Sequence, residues 1–162
     1  MSGSIRTLVV GVGNTLLSDE GVGVVICKKL MEEKQPAGVE VYDAGVALSD
    51  VLIRFDKVER LIIIDAVQGC GNPGDVYCLD LNELKGQGHN SCCAASLHEI
   101  GVLEAIELAE LAGWRATNIT IIGIEPEKLE AGMELSDTIK SKVPAIMSFI
   151  RTEIRRSADA GE

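Results

Sequence analysis

The stretch Leu8-Val-Val-Gly-Val-Gly-Asn-Thr-Leu-Leu-Ser-Asp-Glu-Gly-Val-Gly23 constrains the fold more than any other part of this chain. An apolar strand runs into a tight glycine turn, and the helix that follows opens on two acidic residues. A nucleotide-binding protein would hold an anion there, because a helix N-terminus offers free N–H groups and positive potential. Asp19 and Glu20 fill that place with the protein's own negative charge, so the loop is suited to a cation or to polar backbone. A dinucleotide fingerprint fails on a second count, because Gly11-Val-Gly13-Asn-Thr-Leu16 lacks the third glycine of GxGxxG.

The rest of the chain alternates strand and helix. Residues 5–12 read as a buried strand and 20–34 as a helix ended by Pro36. Val39–Asp43 follows as a strand and Ala47–Phe55 as a short helix. Arg60-Leu-Ile-Ile-Ile-Asp-Ala-Val67 is apolar on both faces and therefore central. A glycine-rich loop precedes a strand at Asp75–Leu79 whose direction the pattern leaves open. Asn82–Ala95 reads as irregular, and loops of that length in a compact domain usually carry function. A helix from Ser96 or Leu97 to about Ala112, a strand at Thr117–Gly123 and a helix from Ser136 to about Arg155 complete the pattern.

Such alternation predicts an α/β fold, a largely parallel sheet with helices on both faces. One domain over residues 1–156 is expected, with 157–162 as a frayed tail. Ligands in such sheets sit beyond the carboxyl ends of the strands, near a switch in strand order. The Gly11–Glu20 loop and Asp65 both fall there.

Charge and thiols narrow the function. A formal charge of −10 disfavours nucleic acid and anionic membranes as partners. No apolar run reaches the roughly 18 residues that span a bilayer. Met1-Ser-Gly-Ser-Ile-Arg leads directly into the first strand, which points to a soluble, cytoplasmic protein without a signal peptide. Five cysteines, Cys27, Cys70, Cys78, Cys92 and Cys93, contain no CxxC pair, and reduced thiols are expected.

Three residues carry candidate chemistry. Glu20 has an ordinary explanation in the helix dipole, and Asp19 in capping, where it would accept backbone N–H bonds. Asp65 ends an apolar strand, where a carboxylate either fixes the next loop or binds a ligand. His98 lies in the first turn of a helix, where a histidine alone is ordinary; the other histidine, His89, lies in the long loop. Together, one Glu, one Asp and one His near element ends form a plausible open site for Zn, Ni or Fe(II).

These motifs resemble those of the [NiFe]-hydrogenase maturation endopeptidases, which remove a C-terminal extension from the hydrogenase large-subunit precursor. Gly11-Val-Gly-Asn-Thr-Leu-Leu-Ser-Asp-Glu20-Gly is similar to the family's GxGNxLxxDEG signature, and Ile63-Ile-Asp65-Ala to its central strand. Ser96-Leu-His98-Glu-Ile-Gly101 resembles its Ser-x-His-x-x-Gly segment, and Gly123-Ile-Glu-Pro126 its Gly-x-x-Pro region. The resemblance implies a three-layer α/β/α fold, phosphorylase/hydrolase-like, with a mostly parallel five-stranded sheet. It assigns metal-binding and catalytic roles to Glu20, Asp65 and His98, acting on nickel presented by the precursor, with no organic cofactor. Asp43-Ala-Gly45-Val46 stands where the family has Asp-Gly-Gly-Thr, so Asp43 remains a candidate for substrate contact or catalysis while Val46 supplies no hydroxyl. A non-catalytic nickel metallochaperone and a nucleotide-binding α/β protein are the alternatives.

Overall fold

The computed structural model describes residues 5–55, 57–86 and 101–160. Its core is a five-stranded sheet of β1 (Thr7–Val12), β2 (Val39–Gly45), β3 (Lys57–Ala66), β4 (Val76–Asp80) and β5 (Arg115–Ile124), in the order β2-β1-β3-β5-β4. The first four strands in that order are parallel, and β4 runs antiparallel to β5. The direction of β4 follows from its connection. Residues 67–75 leave β3 at the carboxyl end of the sheet, and returning to the other end for a parallel strand needs about a dozen or more residues.

Because side chains alternate along a strand, the apolar runs feed both faces of the sheet. Leu8, Val10, Leu61, Ile63 and Ile121 pack with α2 (Leu48–Leu52), the start of α3 (Leu81–Gly86) and α4 (Val102–Leu111). Val9, Ile62, Ile64 and Ile122 pack on the other face with α1 (Val22–Met31) and α5 (Asp137–Asp159). The expected three layers are present. Ser136 caps α5, its Oγ accepting from the Ile139 N–H.

Several boundaries differ from the sequence expectation. The segment read as irregular from Asn82 contains α3, whose first residue Leu81 is buried and anchors it to the core. The helix opening at Glu20 divides into a 3-10 turn, Ser18–Gly21, and α1. α5 continues to Asp159, beyond the expected Arg155, because Ile154 and Ala158 still pack on the sheet. Cys70 is disulfide-bonded, against the expectation of reduced thiols, whereas Cys27 and Cys78 are free.

Candidate active site

Strand order reverses around β1: the chain passes from β1 to β2 on one side and then to β3 on the other. That switch opens a crevice at the carboxyl ends of β1 and β3, where such folds bind ligands. A cleft of about 140 Å³ occupies it, lined by Gly13, Glu20, Gly45, Val46, Asp65 and Val102 among others. Glu20 arrives on the 3-10 turn after β1 and Asp65 at the end of β3. Two residues distant in sequence are thereby brought to one cavity.

Asp65 is the more unusual of the two. It is 2% exposed, and its Oδ1 accepts a 2.8 Å bond from the Ala66 N–H. Its Oδ2 is buried with no hydrogen-bond partner among the described residues. Burial pushes its carboxyl well above the usual range; the Ala66 N–H opposes this and the neighbouring Glu20 charge adds to it. A buried carboxylate beside a second carboxylate, with one oxygen unpaired among the described residues, is a costly arrangement of the kind concentrated at functional sites.

The loop holding Glu20 is built against the molecule itself. Gly13 has φ of 142°, and a Cβ there would overlap the Glu20 carbonyl oxygen. A Cβ on Gly23 would overlap the Ile64 carbonyl oxygen and lie 2.5 Å from that of Val12. These glycines therefore let α1 and the Glu20 turn press onto β1 and β3.

Asp19 accepts backbone N–H bonds as expected, but not those of its own helix. Its carboxylate is 0% exposed and takes bonds from Glu127 N (3.0 Å), Lys128 N (2.8 Å), Ser136 N (2.8 Å) and Ser136 Oγ (2.8 Å). Burial alone would raise its pKa, but these four donors outweigh it and hold the carboxyl below its ordinary value. Asp19 thus staples the β1–α1 loop to the β5–α5 loop, next door to Glu20.

Asp43 sits at the end of β2, and it is not among the residues lining the cleft. Its Oδ1 accepts from Gly45 N at 2.9 Å and its Oδ2 lies 3.9 Å from Lys28 Nζ, so it shapes the Gly45–Val46 lip. Beneath it Cys27 donates to the Tyr42 carbonyl, and burial pushes its thiol up to about 12. His98, with His89, Cys92 and Cys93, lies outside the described residues. Among the described residues no group of three or more His, Cys, Asp and Glu is arranged to hold a metal.

Glu125 was not singled out from the sequence. It is buried at the end of β5, with Oε2 accepting from Gly69 N (2.6 Å) and Tyr77 OH (3.1 Å), and so holds the β3–β4 loop beside the sheet. The signal that marked Asp65, a lone carboxylate closing an apolar strand, was present there too.

Known proteins share this architecture and sequence. A family model described as hydrogenase maturation protease matches residues 24–153. Hydrogenase 2 maturation protease of Escherichia coli is 30% identical over 155 residues, covering 94% of this chain and 93% of that protein. The structure of a hydrogenase maturating endopeptidase from E. coli superposes with a TM-score of 0.73 at 29% identity, covering 94% of this chain and 93% of the other. A [NiFe] hydrogenase maturation protease from Thermococcus kodakarensis does so with a TM-score of 0.66 at 26% identity, over 92% and 99% of the two chains. With a switch-point cleft, paired carboxylates and these matches, the chain belongs to the hydrogenase maturation protease family and is a hydrogenase maturation endopeptidase.

Proposed function

We propose that this endopeptidase removes the C-terminal extension of a [NiFe]-hydrogenase large-subunit precursor after nickel has been inserted, and that Glu20, Asp65 and His98 recognise the precursor's nickel. The observation that carries this reading is Asp65 Oδ2, without a hydrogen-bond partner among the described residues and buried in the same cleft that Glu20 lines. A metal ion presented by the substrate would supply Asp65 Oδ2 with a partner that the described residues do not. Oxygen donors with one imidazole suit a borderline divalent cation with positions left open.

In this mechanism the two carboxylates dock nickel-loaded precursor and bring the scissile peptide beside the ion. Held there, the ion would supply Lewis acidity toward the scissile carbonyl or a water, and a neighbouring carboxylate would accept the proton. Asp65 must be ionised to ligate, and its raised pKa makes docking weaken as pH falls through that value. Asp43 orients the Gly45–Val46 lip over the cleft through the Gly45 N–H. We place the reaction in the cytoplasm; among the described residues no helix is long and apolar enough to cross a membrane.

The test is the mass of the precursor after incubation with enzyme. Nickel-loaded precursor is expected to lose its C-terminal peptide, and nickel-free precursor to remain intact. Glu20→Gln and His98→Ala should each abolish cleavage. Equal cleavage of both precursors would refute the nickel checkpoint, and wild-type cleavage by a Glu20→Gln, His98→Ala double variant would refute the assigned site.

A further inference from the structure

We propose that Leu16 and Met133 form an exosite beside the active cleft that binds an apolar segment of the precursor polypeptide adjoining the cleaved bond; this rests on the processing reading above. Leu16 is 59% exposed and Met133 82% exposed. Large apolar side chains so open to water are unremarkable singly, but these two are mounted together. Leu17 bridges to Gly132, the Gly132 N–H donates to the Leu16 carbonyl at 2.9 Å, and the Ser18 N–H donates to the Gly132 carbonyl at 2.9 Å.

The platform is rigid as well as apolar. Ser18 holds φ of 52°, a left-handed conformation uncommon for a residue other than glycine, and its Oγ donates to the Glu130 carbonyl at 2.8 Å. Asp19, one residue on, accepts the Glu127, Lys128 and Ser136 donors. Fixed loops lose little freedom on binding, which makes exposed anchors on them effective contact points.

Continuity with the cleft identifies the occupant. The 3-10 turn that follows Leu16 carries Glu20, whose N–H donates to the Leu17 carbonyl. The Gly13 N–H donates to the Gly45 carbonyl, and Val46, 81% exposed, stands on the cleft's lip. The Leu16–Met133 patch therefore adjoins, through the turn that carries Glu20, the cleft that Glu20, Val46 and Asp65 line. A second copy of this protein is the poorer occupant. Glu127, Glu130, Glu134 and Asp137 are exposed around Met133 against Lys128 and Lys140, the latter paired with Glu134, so two such rims would still meet with a net like charge. The same glutamates favour basic residues flanking the apolar segment.

Steady-state cleavage of nickel-loaded large-subunit precursor by wild type, Met133→Ser, Leu16→Ser and the double variant tests this. Each single change is expected to raise KM about tenfold with kcat held, the size expected for losing one anchor of an interface. Met133→Leu should restore KM, and Leu111→Ser, on the distant end of α4, should leave it unchanged. An unchanged KM in a double variant with wild-type melting, a fall in kcat without a rise in KM, or a concentration-dependent dimer lost on Met133→Ser would each overturn the exosite. If wild type itself leaves the precursor uncut, the processing reading fails; if it cuts and the variants match it, only the exosite fails.

Discussion

Replacing Asp19 by asparagine removes one charge from the interior and changes almost nothing in shape. Oδ2 accepts three bonds and Oδ1 one, so the asparagine oxygen takes the Oδ2 place and the amide nitrogen is left facing the Ser136 N–H. One charge-assisted bond is lost outright, about 1.5–3 kcal/mol, and the other three weaken to neutral ones. Discounting for rotation of the Ser136 hydroxyl and for local relaxation, the expected loss is about 3 kcal/mol. For a chain of this size that lowers Tm by roughly 6–12 °C.

Urea unfolding followed by tryptophan fluorescence measures this directly, because the sole tryptophan, Trp114, is buried. Acid titration supplies an independent check on the cause. The folded-state pKa of Asp19 is lowered, so the unfolded chain takes up its proton first. The contribution is complete above the unfolded value of about 4 and is lost as pH falls through the folded value. The gap between wild type and Asp19→Asn should therefore close on acidification below pH about 4. A loss of under about 0.5 kcal/mol at neutral pH, or a gap that persists in acid, would show that the staple is not held by charge.

Asp65→Asn should do the reverse, raising the stability of the free protein by about 1–2 kcal/mol while abolishing precursor cleavage. The raised folded pKa means that the ionised carboxylate costs stability above that value, so the gain in urea melts should shrink as pH falls through it; a destabilised Asp65→Asn protein would contradict this. Gly23→Ala forces a methyl group against the Ile64 and Val12 carbonyls and should cost about 3 kcal/mol or more by thermal unfolding, a larger penalty than a helix position gaining alanine would suggest. Ser136→Ala removes the α5 cap and one Asp19 donor; a loss of about 1.5 kcal/mol is expected, with a double-mutant cycle against Asp19→Asn showing coupling of about 1 kcal/mol.

Elements whose signal is local were legible. The apolar runs at Leu8–Val12 and Arg60–Ala66 declare buried strands because burial on both faces leaves no polar alternation. Ser136 declared a helix start because a hydroxyl there caps whichever helix follows it. Asp65 stands out because it puts a charge at the end of an apolar strand, whereas Glu20, which the helix dipole alone would explain, stands out only through the motif around it. α3 escaped notice because a single buried leucine makes no periodic pattern.

What the sequence determined by itself was the class of fold, the family, and two candidate carboxylates, one in the turn after β1 and one at the end of β3, since periodicity and motif order are written along the chain. Only the tertiary structure decided what those residues face. Asp19 and Glu20 are adjacent and chemically alike, yet one is surrounded by four donors from a loop over a hundred residues away and the other lines a cleft with an Asp65 oxygen that no described residue partners. The difference is solvation and partner geometry, which sequence spacing does not encode. The glycines flanking them, Gly13 and Gly23, make the same point. Nothing in their spacing says what they face; the fold sets the Glu20 carbonyl against Gly13 and the Val12 and Ile64 carbonyls of β1 and β3 against Gly23.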